Sequence, residues 1–368
     1  MAKRTSRRKA LCVTGLVYHV RRILNNIQNN LLTTSPTIKD VARVSGVSQS
    51  TVSQVLHNGR RPVHPATRER VLRAAQELDY RPSAVARGLA RRRMNTLGLA
   101  FLHGDISAQS NPFFLAVLDG VLSVCTRRHQ STMLHTFHDW DAPDGPTDMG
   151  DGRCDGVLLL VPPARCALAE TLLKRRVPFV IVDGHDASGR MAYIDIDNGH
   201  AAAEMTGHLL GLGHRRIAFV YAPSNLPYTF AVEREAGYRK AMAAAGQDVE
   251  CTVLTCEEVP ALDWSAPDRP TALFCAYDAI ALPLMDDLMR LGLRIPEDIS
   301  VVGFDDVPGA AGAQPALTTM RQPMTELGER AAEMLLEIID GGAGGAGRQL
   351  LLSTTLVVRA STASPPAA

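Results

Sequence analysis

TIKDVARVSGVSQSTVSQVLHNG, residues 37–59, decides how the rest of the chain is read. Before Gly46 the positions Ile38, Val41, Ala42 and Ser45 share one helical face. After it Val52, Val55 and Leu56 do the same, so two short amphipathic helices flank a glycine turn. Ser48 stands where a second helix needs an N-cap, because its hydroxyl can accept from an otherwise unpaired first-turn N–H. The pattern is a helix-turn-helix. Its second helix, about 48–57, hides an apolar side and turns Gln49, Ser50, Ser53 and Gln54 outward, short polar groups suited to base edges and phosphates in a major groove.

The flanking sequence extends the module. HPATRERVLRAAQELDY (64–80) places Pro65 in the first turn of a third helix, with Ala66, Arg70/Val71, Ala74 and Leu78 on one side. RPSAVARGLARRR follows, and residues 37–93 hold 12 Lys/Arg against 4 Asp/Glu, the charge that phosphate neutralisation demands. These features resemble the DNA-binding headpiece and hinge of the lactose-repressor (LacI/GalR) family of bacterial transcription regulators.

That resemblance implies double-stranded operator DNA as partner, a homodimer, and DNA contacts from Thr37, Ser48, Gln49, Ser50, Thr51, Ser53, Gln54, His57 and Asn58. It also makes 83–94 a hinge helix in which Leu89 wedges into the minor groove, with Ala86 at the close contact between paired hinges. Gly88 costs a helix interior about 1 kcal/mol relative to Ala, so this segment is expected to be helical only when something holds it.

Overall composition hides an asymmetry. The 368 residues carry a net charge of +1, yet residues 1–93 hold 19 basic and 4 acidic side chains, leaving 20 and 34 for the remainder. Seven scattered cysteines form no CxxC pair and no Cys/His set at metal spacing, as expected of reduced thiols in a cytoplasmic protein with no cofactor and no metal. No apolar run approaches the roughly 20 residues of a membrane helix. SRRKALCVTGLVYHV faintly imitates an export signal, but Arg21 and Arg22 close it without a small-residue cleavage site. Residues 1–36 read as a basic, disordered extension.

From Asn95 short apolar strands (TLGLAFLH, CDGVLLLVP, PFVIVDG) alternate with amphipathic helices, and the series repeats through RRIAFVYAP, TALFCAY and SVVGFDD. The expected fold is α/β, two doubly wound parallel-sheet lobes of periplasmic-binding-protein type behind an all-α headpiece (37–82). Family topology implies a first lobe of about 95–194 plus 324–345 and a second of about 195–320 plus 346–360, with 361–368 a tail. HDWDAPDGPTDMGDGR and EEVPALDWSAPDRP, rich in Pro, Gly and Asp, suggest shortened or irregular helices.

Ligand is expected between the lobes, at the carboxyl ends of the strands. By resemblance, Phe114 supplies a stacking ring, Arg234 (three residues before Gly237) reaches ligand oxygens, and Asp183, Tyr277, Asp278 and Asp305 line the cleft. Carboxylates with one arginine under aromatic rings suit a polyol, so a sugar or sugar derivative is the expected effector and a purine the alternative. Gly184 stands where the family more often has Arg, and Tyr277 where Asn is usual. Enzyme signatures are missing: there is no GxxxxGK[ST], GxSxG or HExxH. A periplasmic-type solute receptor shares the two-lobed body but has no use for residues 37–93.

Leu89→Ala is expected to weaken binding to a specific operator far more than to random duplex in mobility-shift competition; equal losses on both would rule out the wedge.

Overall fold

The computed structural model describes residues 36–56, 62–81, 88, 93–102, 111–137, 140, 149–223, 228–246, 250–341 and 347–366. Two compact units meet at Arg92/Arg93.

In the first unit α1 (Ile38–Ser45), α2 (Gln49–Leu56) and α3 (Pro65–Glu77) close on a small core of Val41, Ala42, Val52, Val55, Val71, Ala74 and Ala75. Local chemistry sets each boundary. The Thr37 amide and hydroxyl both donate to the Asp40 carboxylate, at 3.0 and 2.8 Å, fixing the start of α1. Gly46 ends it at φ 66°, a left-handed C-cap that glycine adopts without a Cβ penalty. Ser48 Oγ accepts from the Thr51 amide at 3.1 Å, the expected cap of α2. On α3 the buried stripe begins later than the sequence suggests: Ala66 and Arg70 are exposed, and packing starts at Val71.

The second unit contains two six-stranded sheets. Its first sheet has the order β2 (Ser131–Phe137), β1 (Thr96–Leu102), β3 (Gly156–Leu160), β4 (Phe179–Val182), β5 (Tyr193–Ile196), β11 (Gln349–Leu352). The second runs β7 (Glu250–Thr255), β6 (Arg216–Tyr221), β8 (Ala272–Cys275), β9 (Ser300–Asp305), β10 (Thr318–Arg321), β12 (Thr355–Val357). Among the described strands only β12, against β10, is antiparallel. Central strands such as GVLLL are buried along their whole length, which is why they read as unbroken apolar runs.

Helices α4 (Pro112–Arg127), α5 (Ala167–Arg175) and α10 (Met324–Ile339) serve the first lobe. The second has α6 (Asn198–Gly211), α7 (Thr229–Ala244), α8 (Asp278–Arg290) and α9 (Pro308–Gly312). Where α6 and α7 cross, a Cβ on Gly237 would collide with the Gly199 carbonyl oxygen, so this glycine sets how closely the two helices approach. After β7 the acidic, proline-rich stretch forms only a 3₁₀ turn, Val259–Ala261, followed by turns.

Three sequence expectations shift. Strand β5 runs to Ile196, so Asp195 belongs to the first sheet. Strand β11 also lies in that sheet, paired in parallel with β5, which moves the last crossing beyond Leu352. Nor are residues 361–366 a free tail. Ser361, fully buried, donates to the Val301 carbonyl at 2.6 Å and accepts the Thr318 amide at 2.8 Å; His214 Nε2 lies 2.9 Å from the Ala363 carbonyl.

Ser361→Ala leaves a buried N–H and a buried C=O unpaired, so a loss of about 1–3 kcal/mol is expected in denaturant unfolding of the protein, whereas a change within error would show that this strap carries no stability.

Candidate functional site

At the carboxyl ends of the strands the backbone itself is unusual. Val161 after β3, Asp183 after β4 and Asp305 and Asp306 at the end of β9 all have positive φ, at 50°, 55°, 117° and 59°. Such conformations cost a non-glycine residue about 1–3 kcal/mol and collect where side chains are aimed for function.

Arg234, in the second turn of α7, is the centre of this region and is only 2% exposed. Its guanidinium lies between two rings, 3.6 Å from the Phe304 centroid and 5.0 Å from that of Phe230. Its Nε donates to Asn198 Oδ1 at 2.8 Å and Nη1 to the Ala276 carbonyl at 2.6 Å, with Asp305 Oδ1 3.8 Å away. Asn198, fully buried at the start of α6, also donates through Nδ2 to Asp195 at 3.2 Å. One amide therefore fixes both the arginine and a carboxylate.

The carboxylates differ in what they hold. Asp305 accepts from Gln322 Nε2 at 2.6 Å; burial pushes its carboxyl well up while the Arg234 guanidinium holds it down. Asp183 is 4% exposed and its Oδ1 has no hydrogen-bond partner. Burial pushes its carboxyl up to about 6, Arg234 pulling against that and Glu233 adding to it. Thr229 Oγ1 and Gln322 Oε1 are buried and unpartnered in the same way. The cleft thus presents several buried oxygens that lack donors.

Two positions expected to touch ligand already have partners within the protein. Both oxygens of Asp278 are engaged, by Thr319 Oγ1 at 2.6 Å and the Val307 amide at 2.9 Å, so it braces β10 and the loop after β9. Phe114 is buried against Phe101, ring centroids 4.2 Å apart, inside the first-lobe core. Tyr277 stands edge-on to Phe230 at 6.2 Å. Sequence reasoning missed Asn198, Thr229, Phe230 and Gln322. All lie at helix starts or just beyond a strand end, the positions that cleft geometry favours.

Contacts between the lobes include a backbone bridge between Pro163 and Tyr228, the Asn198–Asp195 hydrogen bond, and His185 Nδ1 at 3.4 Å from Glu233 Oε1.

On α2 the Ser48, Gln49 and Ser50 side chains are exposed, and Thr51, Ser53 and Gln54 half-buried. Thr37 is exposed, with its hydroxyl committed to Asp40. His57, Asn58, Ala86 and Leu89 lie outside the described residues. Among the described residues no helix is long and apolar enough to cross a membrane.

A helix-turn-helix unit joined in one chain to a two-lobed α/β body with a polar cleft defines a ligand-responsive DNA-binding regulator. The chain belongs to the lacI family of bacterial regulatory proteins. Residues 37–83 match that family's description and residues 206–362 match a periplasmic binding protein-like domain. It is 38% identical over 317 residues to the HTH-type transcriptional repressor PurR of Vibrio vulnificus (strain CMCP6), covering 82% of this chain and 92% of that one. With the HTH-type transcriptional regulator CelR of Thermobifida fusca it shares 35% identity, over 89% and 98% of the two chains. Among solved structures it is similar to a transcriptional regulator CelR–cellobiose complex (32% identity, TM-score 0.65, covering 89% of this chain and 99% of that one). It is also similar to the lac repressor dimer bound to operator and the anti-inducer ONPF (26% identity, TM-score 0.76, covering 90% and 100%).

The Asp183 environment has a consequence for stability. Its folded pKa lies above the ordinary aspartate value of about 3.9, so the stability it contributes is complete below about pH 4 and is lost as pH rises through about 6. Asp183→Asn is expected to flatten that fall and to leave the ligand-free protein more stable at pH 7, by on the order of 2 kcal/mol. Urea unfolding at pH 4.5 and pH 7 reads it, and an unaltered pH profile would remove Asp183 as the source.

Proposed function

We propose that the protein is a homodimeric repressor on a two-fold operator, and that a sugar or sugar derivative between its lobes changes its grip on the DNA. The observation that carries the effector class is the set of buried oxygens without donors: Asp183 Oδ1, Thr229 Oγ1 and Gln322 Oε1. A polyol brings hydroxyl donors to such a set, which a planar base with its ring-nitrogen acceptors matches less well. Phe230 and Tyr277 supply apolar surface for a sugar face, and Arg234 supplies forked donors. Likeness to the CelR–cellobiose complex over nearly the whole chain supports the same class.

On this reading α2 enters the major groove and presents Gln49, Ser50, Ser53 and Gln54, while paired hinges bend the operator centre through Leu89. Ligand closing the cleft biases the pairing of the two first lobes and with it the hinges. A coupling of about 1–3 kcal/mol, or roughly 5- to 150-fold in affinity, is enough to switch expression.

An operator selected from random duplexes, followed by mobility shifts against mono- and disaccharides and purine bases, tests the whole scheme. A sugar is expected to alter the shifted fraction, and a response confined to purines would overturn the effector class. Arg234→Lys and Arg234→Ala are expected to keep operator binding and lose the response, since an ammonium or a methyl cannot reproduce the fork. Unchanged responses in both would take Arg234 out of the ligand site.

A further inference from the structure

His185, Asp195 and Glu233 come together across the junction of the lobes, with one potential ligand atom of each within 4.8 Å of the other two. Their origins differ. His185 follows β4 and Asp195 lies in β5, both in the first lobe, whereas Glu233 projects from α7 of the second. His185 Nδ1 and Glu233 Oε1 are 3.4 Å apart, close to the spacing of two ligand atoms that share a tetrahedral ion at about 2.1 Å. Asp195 is held rigidly, 1% exposed, with Oδ1 accepting the Ile196 amide at 2.7 Å and Asn198 Nδ2 at 3.2 Å.

A second observation points to a cation here. Asp183, two residues before His185, has its buried Oδ1 without a partner.

We propose that His185, Asp195 and Glu233 bind a divalent first-row transition ion that clasps the first lobe to the second. One imidazole and two carboxylates suit Zn²⁺ and its neighbours; Ca²⁺ takes six to eight oxygens, and soft ions prefer thiolate or thioether. Such an ion would hold the cleft closed whether or not an organic ligand occupies it, and this makes it a second input to the regulator. The inference does not depend on the effector being a sugar.

Calorimetric titration of the full chain with Zn²⁺, in the wild type, His185→Ala and Glu233→Gln, decides it. Both side chains are half-exposed, so the variants are expected to fold, with circular dichroism and operator binding as the check. One equivalent in the wild type, weakened at least about tenfold in each variant, is the expected result. No uptake by the wild type would leave a plain ion pair and overturn the proposal. Equal uptake by all three would place the ion elsewhere, for example at the exposed Cys251, and overturn it too.

Discussion

A guanidinium taken almost wholly out of water is the constraint on which the rest of the effector body depends. Leaving one partner of a buried charge unmatched costs about 3–5 kcal/mol, so Arg234 obliges its surroundings to answer it. They do so from four directions: Asn198 at the head of α6, the Ala276 carbonyl after β8, Asp305 at the end of β9, and the Phe304 and Phe230 rings. Burial lowers the arginine's own proton affinity, and Asp305 and Asp183 restore it. The glycine at 237 belongs to the same arrangement, because only a bare Cα lets α7 approach Gly199 closely enough for Arg234 to meet Asn198.

The answer is incomplete on one side. Asp183 keeps a buried oxygen without a donor on a backbone held at positive φ, and Thr229 and Gln322 add two more unpartnered oxygens. Strain at Val161, Asp183, Asp305 and Asp306 is concentrated at strand ends, while the strands behind them are buried and regular.

The DNA-binding unit works on different physics. Three short helices hold together through seven buried small aliphatic residues, with ends set by Thr37–Asp40, Gly46 and Ser48. Little core is available, so caps worth about 1 kcal/mol each are a large share of its stability. Its basic surplus, set against an acidic body, gives it sequence-independent attraction to phosphate.

Sequence by itself determined the helix-turn-helix, its Gly46 turn and Ser48 cap, and the doubly wound body, because these rest on local periodicity. It could not tell Asp278, whose oxygens serve Thr319 and Val307, from a residue open to ligand, since both readings give the same aspartate after a strand. It did not point to Asn198 or Gln322, or to the packing of Phe114 against Phe101, and it left residues 361–366 as a tail. Only the tertiary structure decided these points. The hydrogen-bond partners that decide them lie up to 149 positions away, and no pattern along the chain encodes them.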